Sequence, residues 1–219
     1  MPSVRSILRN EPSAVLLAVQ LAGVLLYPFM VGSVGRALFS VFGIMVLGLV
    51  LLAVRSTPAL TWIGVMLGVP ATVLLLIQAV TRSDALLPYS SAFEAVLYFY
   101  AAGALIFYML ADHRITRDEL FAVGATFTLV AWGFAYTYVV WQAIEPHSFT
   151  AAIDPTGERS WMELLFLSFT TLTSTGLSDI VPVQDFARSL VMIEQLAGLA
   201  YIAIVVSRLV ALTVPRRMG

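Results

Sequence analysis

Long uncharged stretches dominate the pattern of hydrophobic and polar positions along the chain. Residues 12–35, 37–54, 56–81, 95–111 and 120–144 contain no Asp, Glu, Lys, Arg or His. A helix needs about 20 apolar residues to cross a bilayer, and a charge near its centre is costly. The pattern therefore predicts membrane-spanning helices at 13–31, 35–54, 58–80, 89–111 and 119–142, and a sixth at 186–214, which is interrupted by Arg188, Glu194 and Arg208.

A shorter uncharged segment lies between the fifth and sixth predicted spans. Residues 164–178 are rich in Thr and Ser. The helical part of this segment would reach about 20 Å, short of the hydrocarbon core of roughly 30 Å. We therefore expect it to enter the membrane and turn back. Ser/Thr-x-x-Glu capping boxes at 116–119 and 160–163 mark the starts of the fifth span and of this re-entrant helix.

The composition agrees with a multi-pass membrane protein. Of the 219 residues 60% are hydrophobic and 11% are charged, whereas about a quarter are charged in soluble domains. Six spans with both termini in the cytoplasm follow the positive-inside rule, because eight arginines then lie inside (Arg5, Arg9, Arg55, Arg114, Arg117, Arg208, Arg216, Arg217) and four outside (Arg36, Arg82, Arg159, Arg188). We expect a cell-membrane protein, surrounded by lipid, whose re-entrant segment opens on the external side.

The sequence lacks the signatures of several other functional classes. A net charge of −1 argues against a nucleic-acid partner. The chain has no cysteine, which removes thiolate metal sites and thiol nucleophiles. No cluster of metal ligands, Ser/His constellation or phosphate-binding glycine loop is evident. We therefore expect neither an enzyme nor a cofactor-binding protein.

The re-entrant segment has the chemistry of an ion path. Residues 171–179 offer a row of hydroxyl and carbonyl groups with one glycine, and non-helical backbone at membrane depth is tolerated where it lines a water-filled path. Backbone oxygens of this kind can replace the hydration shell of a cation. Residues 145–188 hold six acidic residues against two arginines, which would concentrate cations. An amphipathic hairpin or a helix contact made of small residues is the alternative.

The stretch FLSFTTLTSTGLSDIVP at 166–182, followed by ARS at 187–189 and EQLAG at 194–198, resembles the pore region of tetrameric potassium channels. Their usual pattern is T-x-T-T-V-G-Y-G-D, then a Pro and an inner helix with a hinge glycine. The resemblance implies a pore helix at 160–173, a filter at 174–178 and an inner helix at 186–214 with Gly198 as its hinge. The implied filter and its flanks are Thr173, Ser174, Thr175, Gly176, Leu177, Ser178 and Asp179. The backbone oxygens of Ser174, Thr175 and Gly176 would hold potassium or another monovalent cation.

The sequence departs from this family at two filter positions. Leu177 stands where the family has Tyr, and Ser178 replaces the second glycine, where a positive φ would be costly for a residue with a Cβ atom. The single-glycine string is similar to the pore loops of Trk/Ktr-type potassium transporters. Potassium is therefore the leading ion, with non-selective monovalent cation conduction and a non-conducting sensor or scaffold as open alternatives.

The resemblance also implies how the chain is organised. Because each chain offers one pore loop, a closed path implies a homotetramer. The six-span layout resembles the voltage-gated branch, with a peripheral four-helix domain at 1–116 and a pore domain at 117–219. The fourth span contains no arginine, so conventional voltage sensing is not expected. No ligand-binding ring follows Arg217, so such control would come from a separate cytoplasmic regulatory subunit.

Three glutamates are candidates for a sensor or for support of the filter. Glu94 lies well inside the first four spans, where a buried carboxylate would be protonated or paired, although the favoured interpretation is that it reaches the external interface. Glu194 would lie behind the filter or cap polar groups at the outer mouth. Glu163 belongs to the second capping box. Gly198 has two equally good explanations: a hinge in the inner helix, or close packing against a neighbouring helix.

Overall fold

The computed structural model describes residues 11–29, 32–55, 57, 59–81, 84–111 and 116–213. Within these residues the helices are α1 (Pro12–Leu26), α2 (Gly32–Arg55), α3 (Thr61–Thr81), α4 (Leu87–Leu110), α5 (Arg117–Ile144), α6 (Trp161–Leu172) and α7 (Asp185–Thr213). Short 3-10 turns lie at Tyr27–Phe29 and Asp84–Leu86, and two strands, β1 (Phe149–Ala151) and β2 (Ile180–Pro182), pair in antiparallel fashion. An all-helical membrane protein was expected, and the strand pair is an addition that the sequence pattern did not predict.

Each predicted span coincides with a helix. Among the residues that the structure describes, five apolar stretches are long enough to cross a membrane: Pro12–Phe29, Thr61–Thr81, Leu87–Leu110, Arg117–Ile144 and Asp185–Arg208. Two shorter apolar stretches are Val41–Arg55, within α2, and Trp161–Leu172, which is α6. The helical architecture of a membrane protein is confirmed, and the count of six crossings stays a prediction.

Polar contacts show which helix ends lie together. The backbone N–H of Ser13 donates to Asp118 Oδ1 at 3.0 Å and its hydroxyl donates to Asp118 Oδ2 at 2.9 Å. Asp118 thus satisfies the positive first turn of α1. Arg208 Nη2 lies 3.3 Å from Glu119 Oε2. The starts of α1 and α5 and the end of α7 therefore meet at one end of the bundle, as an even number of crossings requires.

The cytoplasmic placement of this end stays a prediction. It depends on counts of arginine on the two sides of the membrane, and six of these arginines lie outside the described residues: Arg5, Arg9, Arg82, Arg114, Arg216 and Arg217.

Two of the first four helices, α1 and α4, pack on α5 of their own chain. Helices α2 and α3 pack on each other and on α4. Tyr98 of α4 meets Trp132 of α5 edge to face, with ring centroids 5.9 Å apart. At Gly133 of α5 an added Cβ atom would lie 2.9 Å from the ring of Phe99. The absence of a side chain there lets the two helices approach closely.

Helix α6 is a half-length helix. The segments before and after it both lie at one end of the bundle. It has 12 residues, or about 18 Å at 1.5 Å per residue. The loop before it contributes β1 and the segment after it contributes β2, paired with Phe149 opposite Pro182 and Ala151 opposite Ile180. The chain therefore leaves where it entered, as the re-entrant prediction requires.

Helices α6 and α7 touch most closely at Gly198. A Cβ atom at this position would lie 2.1 Å from the carbonyl oxygen of Leu172. Helix α7 runs through Gly198 without interruption. Of the two roles considered for this glycine, the geometry supports close packing, and the hinge stays a prediction.

We expect Gly198→Ala to lower the free energy of unfolding by about 1–3 kcal/mol, because the added methyl group overpacks against backbone atoms. The measurement is thermal unfolding in detergent micelles. Gly103→Ala is the matched control, since a Cβ atom there meets nothing within 4 Å and alanine favours a helix by about 1 kcal/mol. If Gly198→Ala has the same melting temperature as Gly103→Ala, the close contact is not needed for stability.

Candidate functional site

The start of α6 is fixed by the predicted capping box. The backbone N–H of Glu163 donates to Ser160 Oγ at 3.3 Å, and that of Ser160 donates to Glu163 Oε2 at 2.7 Å. Glu163 Oε1 also pairs with Arg159 Nη1 at 3.2 Å. A carboxylate at this place satisfies free N–H groups and opposes the positive end of the helix. The contacts of Glu163 are those of a helix cap, and its support of a filter stays a prediction.

Arg159 organises the loop before α6. Its side chain is 2% exposed, and Nη2 donates to the carbonyl oxygens of Asp154 and Gly157, each at 2.6 Å. The side chain of Gln142 of α5 binds the backbone of Arg159. It accepts from the Arg159 N–H at 2.9 Å and donates to the Arg159 carbonyl at 3.0 Å. The sequence predicted Arg159 on the external side of the membrane. Its side chain is buried within the folded loop, where its charge is paired with Glu163.

The end of α6 is a Schellman motif that leads directly into the predicted filter. The N–H of Ser174 donates to the Thr171 carbonyl at 2.9 Å, and the N–H of Thr175 donates to the Thr170 carbonyl at 3.0 Å. The N–H of Gly176 reaches the same Thr170 oxygen at 3.1 Å. Ser174 takes the left-handed position that this motif requires, with φ of 59°. The loop is therefore folded back on the helix end.

The positive dihedral angles fall at Ser174 and Gly176, not at Ser178. Gly176 has φ of 66°, and Ser178 is not among the described residues with positive φ. Ser178 Oγ instead accepts the N–H of Ile180 at 3.0 Å, a turn that leads into β2. The positive φ that would have been costly at Ser178 is not present there. The cost of left-handed backbone falls on Ser174.

The carbonyl groups of the loop are free. In the described part of the chain no hydrogen bond ends at the carbonyl oxygens of Ser174, Thr175 or Gly176. Thr173 closes the helix, donating from Oγ1 to the Phe169 carbonyl at 2.7 Å. Residues 173–177 and Asp179 are exposed in the single chain. Carbonyl groups at membrane depth need a partner, and a desolvated cation is one that they suit.

A groove of about 530 Å³ separates the loop from α7. It is lined by Thr170, Thr171, Ser174 and Gly176 on one side and by Met192, Gln195, Leu196 and Leu199 on the other. The side chains of Leu196 and Leu199 are more than half exposed. The free loop and the apolar face of α7 therefore border the same surface.

Glu194 lies where α5, α6 and α7 meet. It is 0% exposed, and its two carboxyl oxygens form hydrogen bonds with the hydroxyls of Tyr138 and Ser168. Support of a filter by Glu194 stays a prediction. Sequence reasoning missed Tyr138 and Ser168, because each is one of several hydroxyl-bearing residues in its helix and nothing in the local pattern sets it apart.

Glu94 does not reach the external interface. Its side chain is 1% exposed and lies against Tyr98 and Tyr136, so the favoured interpretation from the sequence is wrong. The rings of Tyr98 and Tyr136 are 5.6 Å apart, and those of Tyr136 and Trp161 are 5.7 Å apart. Tyr27 packs on Trp161 at 5.7 Å. This aromatic cluster connects the first four helices to the start of α6.

Comparison with known proteins places this geometry in a family. Residues 124–214, from α5 to the end of α7, match the model of a family described as ion channel. Protein LctB of Geobacillus stearothermophilus is 34% identical over 103 residues, which cover 46% of this chain and 76% of that protein. No solved structure matches the chain. With a capped half-length helix, a loop of free carbonyls and a matching sequence over the same residues, the chain belongs to the ion channel family of the potassium channel superfamily.

Proposed function

We propose that this protein conducts monovalent cations, chiefly potassium, across the membrane. The filter is the loop from Ser174 to Ser178, flanked by Thr173 and Asp179. The observation that carries this proposal is the row of free carbonyl oxygens at Ser174, Thr175 and Gly176. Their N–H groups are already used by the end of α6, so the oxygens are left to bind a cation in place of water.

Four copies around one axis complete the path in this proposal. A single chain supplies one loop, and cyclic assembly is the common way to surround an axis. Leu177 of the loop is 79% exposed, and Leu196 and Leu199 of α7 are 68% and 63% exposed. Contact with neighbouring copies would bury such apolar groups. Residues 117–219 then form the pore domain and residues 1–116 the peripheral domain, with both termini cytoplasmic.

The outer mouth supports selection of cations over anions. Asp154, Glu158, Asp179 and Asp185 are exposed in the loops on either side of the filter. The positive charge of Arg159 is paired within the loop, and Arg188 meets Asp185 only in a long, exposed pair at 3.9 Å. The net acidic surface raises the local concentration of cations. No cofactor is needed for this function, and a cytoplasmic regulatory subunit remains part of the proposal.

Purified protein in liposomes should pass potassium more readily than sodium and should exclude chloride. The measurement is the reversal potential under gradients of each ion in turn. Equal permeability for potassium and sodium would replace potassium selectivity with non-selective cation conduction. A permeability to chloride comparable with that to potassium would contradict the cation channel, and so would a complete absence of flux, which would favour the sensor or scaffold.

Gly176→Ala should reduce cation flux roughly 5- to 30-fold, because a Cβ atom in left-handed backbone costs about 1–2 kcal/mol. Space is not the limit, since nothing lies within 4 Å of the added atom. Flux into liposomes at equal protein density measures the effect, with Gly103→Ala as the control that should conduct like the wild type. Unchanged flux in Gly176→Ala would remove this loop from the conduction path.

Ser174→Gly should preserve conduction and should not lower the melting temperature. Glycine adopts the φ of 59° seen at this position without the cost that serine carries, and the ion ligand in our proposal is the backbone carbonyl rather than the hydroxyl. The same flux assay and thermal unfolding test this. Loss of flux at an unchanged melting temperature would show instead that the Ser174 hydroxyl takes part in conduction.

A further inference from the structure

The groups around Glu194 determine how many protons are available for its hydrogen bonds. Ser168 Oγ lies within hydrogen-bonding distance of two oxygens, the Ala131 carbonyl at 2.8 Å and one carboxyl oxygen of Glu194. A serine hydroxyl has one proton to donate. The Ala131 carbonyl has none, so if Ser168 gives its proton to Ala131, the proton of the second bond comes from Glu194.

A protonated Glu194 satisfies every group in this network. The hydroxyl of Tyr138 donates to one carboxyl oxygen of Glu194, the other carboxyl oxygen donates its proton to Ser168, and Ser168 donates to Ala131. An ionised Glu194 would instead take the proton of Ser168 and leave none for the Ala131 carbonyl. Its negative charge would then stay buried without a cation beside it, which is costly.

The surroundings offer Glu194 no compensating positive charge. The groups that face it are Tyr138 from α5 and Ser168 from α6, and neither is a cation. In the described ranges, the salt bridges are Arg159 with Glu163, Arg188 with Asp185 and Arg208 with Glu119. None of them includes Glu194, which is 0% exposed. Buried carboxylates of this kind are otherwise paired or bound to a metal.

We propose that Glu194 is a buried proton-binding site, a neutral carboxylic acid whose proton holds the inner helix α7 to the half-length helix α6. Glu194 meets Ser168, and four residues further along both helices Gly198 meets Leu172. These two contacts hold the helices side by side behind the filter. Loss of the proton would turn the Ser168 hydroxyl from Ala131 to Glu194 and leave a buried negative charge between the helices, so proton occupancy would set how tightly α7 and the filter loop move together. The effect on conduction rests on the proposed function, whereas the protonation state does not.

Infrared spectroscopy of the full-length protein in lipid tests the protonation state directly. The C=O stretch of a carboxylic acid is separate from the bands of a carboxylate. We expect Glu194→Gln to remove a carboxylic-acid component at neutral pH. Glu163→Gln is the matched control, because Glu163 is ion-paired with Arg159, and it should change only the carboxylate bands. Glu94→Gln separates any contribution from Glu94, which is also buried, whereas the buried Glu119 is ion-paired with Arg208. Loss of carboxylate intensity in Glu194→Gln would overturn the proposal.

The stability of two variants at the same position gives an independent readout. In Glu194→Gln the amide N–H can donate to Ser168 and the amide oxygen can accept from Tyr138. The variant therefore reproduces the hydrogen bonds of the protonated acid, and its melting temperature should equal that of the wild type. Glu194→Leu leaves both hydroxyls without this partner and should melt earlier. If Glu194→Gln is as destabilised as Glu194→Leu, the acid is not neutral. Should the leucine variant fail to fold, the comparison of Glu194→Gln with the wild type and the infrared spectra decide the matter.

Failure of the proposed function gives a different result from failure of this inference. A protein without cation flux would still show the carboxylic-acid band and the tolerance of Glu194→Gln. If the protein conducts, Glu194→Gln should also keep wild-type flux. Conduction that is lost in Glu194→Gln, at an unchanged melting temperature, would overturn the proposed role of the proton.

Discussion

Backbone groups at membrane depth must find hydrogen-bond partners, and this requirement governs the region around the filter loop. The Thr170 carbonyl at the end of α6 takes the N–H groups of both Thr175 and Gly176. The same fold leaves the following carbonyl oxygens without donors from the chain. The C-terminal end of a helix also carries partial negative charge. One capping arrangement thus ends the helix and leaves oxygens suited to a cation beside a negative helix end.

Such a loop is useful only if α6 is held still, and three separate parts of the chain hold it. Arg159 and Glu163 fix its start, and the strand pair fixes the segment after the loop. Glu194 and Gly198 of α7 hold its side through a hydrogen bond to Ser168 and a backbone contact with Leu172. A 12-residue helix is marginal alone, so these tertiary contacts, rather than helix propensity, determine where the loop lies.

The sequence predicted the features that depend on local chemistry. The spacing of charges marked the helices, and Ser160 with Glu163 marked the start of α6, because caps and spans depend on neighbouring residues. It did not predict the burial of Glu94 or the inward turn of Arg159, since both depend on how an element is rotated against others. By analogy with the family, a positive φ was considered at Ser178 only as a cost, because the second glycine of the family pattern falls there. The Schellman geometry at Ser174 and the turn at Ser178 follow from hydrogen bonds that the analogy did not contain.

Helix α4 is connected to the start of α6 through α5, at a different point from the contacts that α7 makes with α6. Trp161, the first residue of α6, packs on Tyr136 of α5, which in turn packs on Tyr98 of α4. A displacement of α4 relative to α5 would therefore reach the start of α6 through ring contacts, whereas α7 touches its middle and its end. Helix α4 carries no arginine, so membrane potential has no row of charges to act on there. Helix α4 buries Glu94 beside these rings, so the ionisable group at this contact is a single carboxyl group and not a row of cations.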